Sequence, residues 1–171
     1  MSHVSLPLTT IPDVRLGYLL EGNVHTISAA ALFAKGRSVI MGIPGAYTPV
    51  CTRRHIPDFV ERADVFKALG FNQLVCIAPN DPFVLDSWAR EVDPQGKIRF
   101  ISDGNLEFSR SFGLVITNLE LFIGERCERY MMIVEDNEIV RFRVEQNILD
   151  YSQSSAIDAC DAANSLDVLM V

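Results

Sequence analysis

The chain has 171 residues, enough for one well-cored domain and too few to expect two. Hydrophobic residues make up 49% and charged residues 22%, an ordinary globular balance, and no apolar run approaches a membrane span. The net charge of −7 (15 basic against 22 acidic residues), with no Lys/Arg block, argues against a nucleic-acid partner.

In chain order, the first ten or so residues read as loosely structured. Val14 to Leu20 and Val24 to Ile27 read as two strands around the turn Glu21-Gly22-Asn23. Ser28 is placed to cap a short helix, Ala29 to Ala34, which Gly36 ends. Ser38 to Ile43 is apolar on both faces, as a strand covered by helices on each side would be. A helical pattern then runs from about Val50 to Leu69, kinked by Pro57 and ended by Gly70. Leu74 to Ala78 is the next buried strand. Asp81 caps a helix that has Pro82 at its first position and continues to Val92. Ile98 to Ile101 is a short strand, and Asp103-Gly104-Asn105 starts a helix through Phe112. Arg129 to Glu135 and Glu138 to Val144 form a hairpin around Asp136-Asn137. A terminal helix begins at Ser154 or Ser155. The order predicts a single α/β domain over 1–171 with a mixed central sheet flanked by helices.

Four cysteines, Cys51, Cys76, Cys127 and Cys160, are widely spaced and make no C-x-x-C pair, so neither a zinc site nor a dithiol motif is expected. The N-terminus lacks the basic and apolar regions of a secretory signal, which favours a reduced, cytoplasmic chain, although an organelle targeting segment trimmed from it would leave no trace. Cys51 stands apart. It follows the strand and the loop Pro44-Gly45-Ala46-Tyr47-Thr48-Pro49-Val50, and so falls on the first turn of a helix. Free backbone N–H groups and the positive end of the helix dipole there favour a thiolate. Thr48 brings a hydroxyl near the sulfur to donate to a substrate oxygen, and Pro44 and Pro49 stiffen the loop and limit water. A nucleophile of this kind also needs an exposed sulfur and a guanidinium nearby.

The spacing P-x-x-x-T-x-x-C over Pro44, Thr48 and Cys51 resembles the peroxiredoxins, and Pro-Gly-Ala-Tyr-Thr-Pro-Val-Cys-Thr is similar to their type II (atypical, peroxiredoxin-5-like) branch. The likeness continues through His55-Ile56-Pro57, Cys76 to Val84, Trp88-Ala89, Ser102 to Asn105 and Arg126 to Tyr130, covering about residues 10 to 145.

The resemblance implies a thioredoxin-fold enzyme that reduces hydrogen peroxide and small alkyl hydroperoxides without metal or organic cofactor. Cys51 would be the peroxidatic cysteine, becoming a sulfenic acid. Thr48 would hydrogen-bond the peroxide, and Pro44 would shield the sulfenate from overoxidation. The family's essential arginine precedes an aromatic residue, which points to Arg129 before Tyr130; Arg126 is the competing position. By the residues' own chemistry, Arg129 would stabilise the thiolate and the charge that develops as the O–O bond breaks. His55, one turn inward, is read as a packing residue, and Tyr47 replaces the more usual phenylalanine as pocket wall or dimer contact.

For recycling, Cys76 occupies the place of the second cysteine in many type II members, against a reading as a small buried hydrophobe, and Cys160 lies in the tail where some relatives carry a resolving cysteine. Cys127 has no family counterpart. Asp58 stands where the branch often has glycine, and the tail after about Val144 diverges. The implied donor is thioredoxin, glutaredoxin or a glutathione-type thiol, and the implied assembly is a homodimer. Two other uses of the same cysteine stay open: a redox sensor or relay, and a general thiol–disulfide oxidoreductase.

Overall fold

The computed structural model describes the backbone of residues 8–168 and side chains through residue 164. Strands β1 (Arg15–Leu20), β2 (Asn23–Ser28), β3 (Arg37–Gly42), β4 (Phe71–Ala78), β5 (Arg99–Ser102), β8 (Tyr130–Glu135) and β9 (Glu138–Val144) form one sheet in the order β2-β1-β5-β4-β3-β8-β9. A two-stranded ribbon, β6 (Val115–Thr117) with β7 (Glu125–Cys127), stands apart from it. The helices are α1 (Ala29–Leu32), α2 (Ile56–Glu61), α3 (Ala63–Ala68), α4 (Pro82–Val92), α5 (Glu107–Ser111) and α6 (Ala156–Val168). β3, β4 and β5 run parallel, while β8 pairs antiparallel with β3 and β1 pairs antiparallel with β5. The expected mixed sheet is therefore present, because crossover helices join the parallel strands and hairpins flank them.

The central strands are buried on both faces, as the unbroken apolar run before the loop predicts. Val39, Met41, Cys76, Met131 and Ile133 pack with Phe59, Phe66 and Trp88 on one side. Ile40, Val75, Ile77, Met132 and Val134 pack with Phe33, Phe108 and Phe112 on the other. Side chains alternate faces along a strand, so each apolar pair feeds both layers. Gly42 pairs with Tyr130, and a Cβ at Gly42 would fall 1.9 Å from the Tyr130 ring. That bare backbone lets the aromatic ring cross the end of β3.

Several sequence expectations need correction. The single helix from Val50 to Leu69 is three pieces: a π-helical turn, Cys51–His55, then α2, then α3 after a break at Arg62. Pro57 explains the first change. A proline in an α-helix lacks the N–H and crowds the carbonyl four residues earlier, and widening the turn so that Ile56 N–H bonds to Cys51 O relieves this. At Arg62 the backbone (φ −96°, ψ 8°) leaves helical geometry. β4 starts earlier than expected, at Phe71, because Phe71 is buried and Asn72 Oδ1 accepts from Arg37 N–H at 2.7 Å. α5 starts at Glu107 rather than Asp103, since the Asp103 carboxylate accepts from Phe108 N–H and Ser109 N–H instead of capping at its own position. β6 and β7, three residues each, escape any periodicity test.

Residues 1–7, expected to be loose, lie outside the described residues. Thr9 to Ile11 are held against the β8–β9 turn: Ile139 N–H donates to Thr9 O at 2.8 Å and Ile11 N–H to Asn137 O at 3.1 Å. α6 starts at the expected place, with Ser155 Oγ accepting from Asp158 N–H at 3.1 Å.

Candidate active site

The loop after β3 enters a helix at Thr48, whose carbonyl accepts from Thr52 N–H at 3.0 Å. Pro49 takes the first helical position, where a missing N–H costs nothing, and Cys51 follows two residues later on the first turn, as the sequence predicts. Tyr47 holds a left-handed backbone (φ 61°), a strained state for an aromatic residue that its hydroxyl helps to fix. That hydroxyl donates to Glu91 Oε1 at 3.0 Å and lies 3.2 Å from Ser87 Oγ, both on α4. On the other side of the cysteine, Trp88 Nε1–H donates to Thr52 Oγ1 at 3.2 Å. One helix thus grips the loop before and after the sulfur.

The loop is also held from behind. Asn80 Oδ1 accepts from Ala46 N–H at 2.8 Å. Arg126 donates to Pro44 O at 3.1 Å and to Ile123 O at 2.9 Å, and a Cβ at Gly45 would lie 2.3 Å from its Nη1. Thr48 Oγ1 donates to Gly45 O at 2.7 Å. Its only proton is therefore spent on the backbone, which leaves the hydroxyl lone pairs to accept where the sequence reading expects a donor.

The two arginines separate cleanly. Arg126 reaches the loop backbone, whereas Arg129, fully buried just before β8, sends Nη1 to Cys51 Sγ at 3.1 Å. The same Nη1 donates to His55 Nδ1 at 3.0 Å, and Nη2 donates to Ile148 O at 2.8 Å. His55 is also packed, as expected, between Phe59 and Tyr151 (ring centroids 5.6 and 4.9 Å away). Burial and the Arg129 charge push the His55 pKa well below its ordinary value, against a weaker opposing contribution at Ser154. The ring is neutral, with Nδ1 as acceptor. The Arg129 hydrogen bond thus sets a permanent positive charge directly on the buried sulfur.

The sulfur is not exposed as the sequence reading requires. Cys51 is 0% accessible, packed in the layer that holds Ile43, Ala46, Ile56 and Phe59. A surface groove of about 450 Å³ between β1, β5 and α4 includes none of these residues. The other three thiols are not joined to it. Cys76 sits mid-strand, paired to Met41 on one side and Phe100 on the other, and burial pushes its pKa well up. Cys127 is buried on the opposite layer, donating to Ile43 O at 3.0 Å, its pKa likewise raised by burial. Cys160 is half-buried on α6, and its pKa is raised for the same reason.

Sequence reasoning missed Asn80, the Ile148 carbonyl and the contact of His55 with Arg129. All three are contacts between chain segments distant in sequence; Asn80, His55 and Arg129 stand in blocks that the resemblance covers, but no local pattern reports what they touch.

A mixed sheet that presents a cysteine on a helix's first turn, with a buried guanidinium on its sulfur, defines a thiol-dependent enzyme on a thioredoxin-like fold. The Redoxin family profile matches residues 8–159. A putative peroxiredoxin of Malassezia furfur is 35% identical over 158 residues, covering 86% of this chain and 89% of that one. Among solved structures, reduced Prx3 of Vibrio vulnificus in complex with H2O2 superposes with TM-score 0.86 at 28% identity, covering 92% of this chain and 95% of that one. The Plasmodium falciparum antioxidant protein, a 1-Cys peroxiredoxin, gives TM-score 0.85 at 29% identity, with 91% and 96% covered. The chain belongs to the Redoxin family and, within it, to the peroxiredoxins: it is a thiol-dependent peroxidase that acts on peroxide and takes its electrons from thiols.

Proposed function

We propose that Cys51 is the peroxidatic cysteine, with Arg129, Thr48 and Pro44 completing the site. The observation that carries this is the 3.1 Å hydrogen bond from Arg129 Nη1 to Cys51 Sγ. The thiolate attacks the distal oxygen of the hydroperoxide. An S–O bond forms, the O–O bond breaks, and the leaving oxygen takes a proton and departs as water or an alcohol. Arg129 stabilises charge on both sulfur and leaving oxygen as it moves between them. Thr48 Oγ1 accepts from the peroxide O–H and orients it. Pro44, its carbonyl fixed by Arg126, closes the loop over the sulfenate. Burial of Cys51 favours hydrogen peroxide and small alkyl hydroperoxides over bulky ones.

Recycling falls to an external thiol of the thioredoxin, glutaredoxin or glutathione type. Attack on the sulfenic acid gives a mixed disulfide and water, and a second thiol releases Cys51. Cys76 and Cys160 are the intrachain alternatives, but reaching Cys51 would require Cys76 to leave the centre of a sheet.

Residues 1–171 are one domain on this reading, in keeping with a family match that runs from 8 to 159. The domain works as a homodimer through the loops beside the site. Leu119 and Phe122 (82% and 95% accessible) sit on the loop that leads to Ile123 and Arg126, and Tyr47, on the loop before Cys51, is half-exposed. Four unpaired cysteines fit a reducing, cytoplasmic setting. No helix among the described residues is long and apolar enough to cross a membrane.

Turnover tests the assignment against a sensor or relay role. With excess hydrogen peroxide and a thiol donor, wild type consumes peroxide catalytically, while Cys51→Ser consumes none. A single stoichiometric oxidation that stops would favour the sensor.

A further inference from the structure

The guanidinium on Cys51 is held by a loop that has no counterpart in the chemistry at sulfur. Hairpin register pairs Tyr130 with Val144, and one step further Glu145 N–H donates to Arg129 O at 2.9 Å. The Glu145 side chain, 4% accessible, then gathers the chain ahead of α6. Its Oε1 accepts from the N–H groups of Ser152 and Gln153 at 2.7 Å each, and from the N–H and Oγ–H of Ser154 at 2.8 Å each. Its Oε2 accepts from Ser152 Oγ at 3.3 Å. A buried carboxylate that takes several backbone N–H donors fixes a loop strongly, because charge-assisted bonds in a dry site are about twice as strong as neutral ones.

The loop closed in this way carries two groups into the site. Ile148 O accepts from Arg129 Nη2 at 2.8 Å, and the Tyr151 ring covers His55 at 4.9 Å. Its far end is tied to α2, where Asp58 accepts from Tyr151 O–H and, at 3.0 Å, from Ala156 N–H. With Nη2 anchored on Ile148 O and one Nη1 proton on His55, the remaining Nη1 proton has a single direction, toward sulfur. We propose that Glu145 is a positioning residue for the peroxide reaction: it shapes residues 145–154 so that the Ile148 carbonyl locks the plane of Arg129 against Cys51. This rests on the role proposed for Arg129 above.

The prediction is specific to one half of the catalytic cycle. Glu145→Asp keeps the charge but is one methylene too short to span the loop. Glu145→Gln keeps a carbonyl oxygen at full length. In ping-pong kinetics Glu145→Asp lowers the second-order constant for peroxide about tenfold or more, the scale of a catalytic group displaced by a fraction of an ångström. Its constant for the thiol donor stays at the wild-type value. Glu145→Gln stays within about threefold of wild type for peroxide, since the neutral acceptor keeps the geometry at reduced strength. If Glu145→Ala fails to fold, the Asp and Gln pair still decides. Equal peroxide constants for Glu145→Asp and wild type, or equal losses in both half-reactions, overturn the proposal. Arg129→Gln run in parallel separates the two levels: if it too leaves the peroxide step intact, the reading of the site fails. If only Arg129→Gln slows that step, the role of Glu145 alone fails.

Discussion

Arg129 Nη1 bridges Cys51 Sγ and His55 Nδ1, at 3.1 and 3.0 Å, so one nitrogen joins three residues from two distant parts of the chain. The histidine must be neutral for the arrangement to exist. A protonated ring would turn Nδ1 into a donor facing a buried cation.

Stability should therefore depend on pH through His55. Its folded pKa lies below the ordinary value, so between the two the unfolded chain binds a proton that the folded chain does not. The contribution is fully present above about pH 6.5 and is lost as pH falls below it, at up to about 1.4 kcal/mol per pH unit. Urea unfolding of wild type from pH 7.5 to 5 should follow this slope, and His55→Gln should flatten it. A slope unchanged in His55→Gln would place the pH dependence elsewhere.

Arg129→Gln should slow the reaction of Cys51 with peroxide by about 10²- to 10³-fold, the usual loss for one donor aimed at developing charge in a dry site. Stopped-flow oxidation of the reduced protein measures this directly. Arg126→Ala, which loses only backbone contacts, should slow it far less.

Thr48→Val removes the Oγ1 proposed above as the acceptor for the peroxide O–H. About a tenfold to hundredfold drop in the peroxide constant is expected, corresponding to about 1–3 kcal/mol for a lost buried partner. Thr48→Ser should recover most of it.

Gly45→Ala should destabilise the loop by about 1–3 kcal/mol, because the new Cβ would meet Arg126 Nη1 and force it off the Pro44 and Ile123 carbonyls. In an Arg126→Ala background the same change should cost clearly less. Additive costs in that double-mutant cycle would show that the two sites do not interact.

The part of the site that was legible in the sequence is the part that is local. Pro44, Thr48 and Cys51 share one loop; the order of apolar strand, loop and amphipathic helix placed the cysteine on a helix's first turn, and the spacing of the three carried the resemblance. Arg129 was readable through the aromatic residue that follows it, and the structure puts its guanidinium, not that of Arg126, on the sulfur. What stayed hidden depends on tertiary contact. His55 reads as a packing residue, which it is, but its bond to Arg129 spans 74 positions. The burial of Cys51 follows from the layer formed by α2 and the central strands, and no local pattern reports it. The continuous helix expected over residues 50–69 failed because its apolar periodicity survives both the π-helical turn at Cys51–His55 and the break at Arg62.

The most direct measurement is site-resolved trapping of the sulfenic acid. The reduced protein is treated with one equivalent of hydrogen peroxide in the presence of a dimedone-type trap, then digested and mapped by mass spectrometry. The account predicts the adduct at Cys51, with Cys76, Cys127 and Cys160 unmodified. An adduct carried mainly by any of those three, with Cys51 still a thiol, would contradict it.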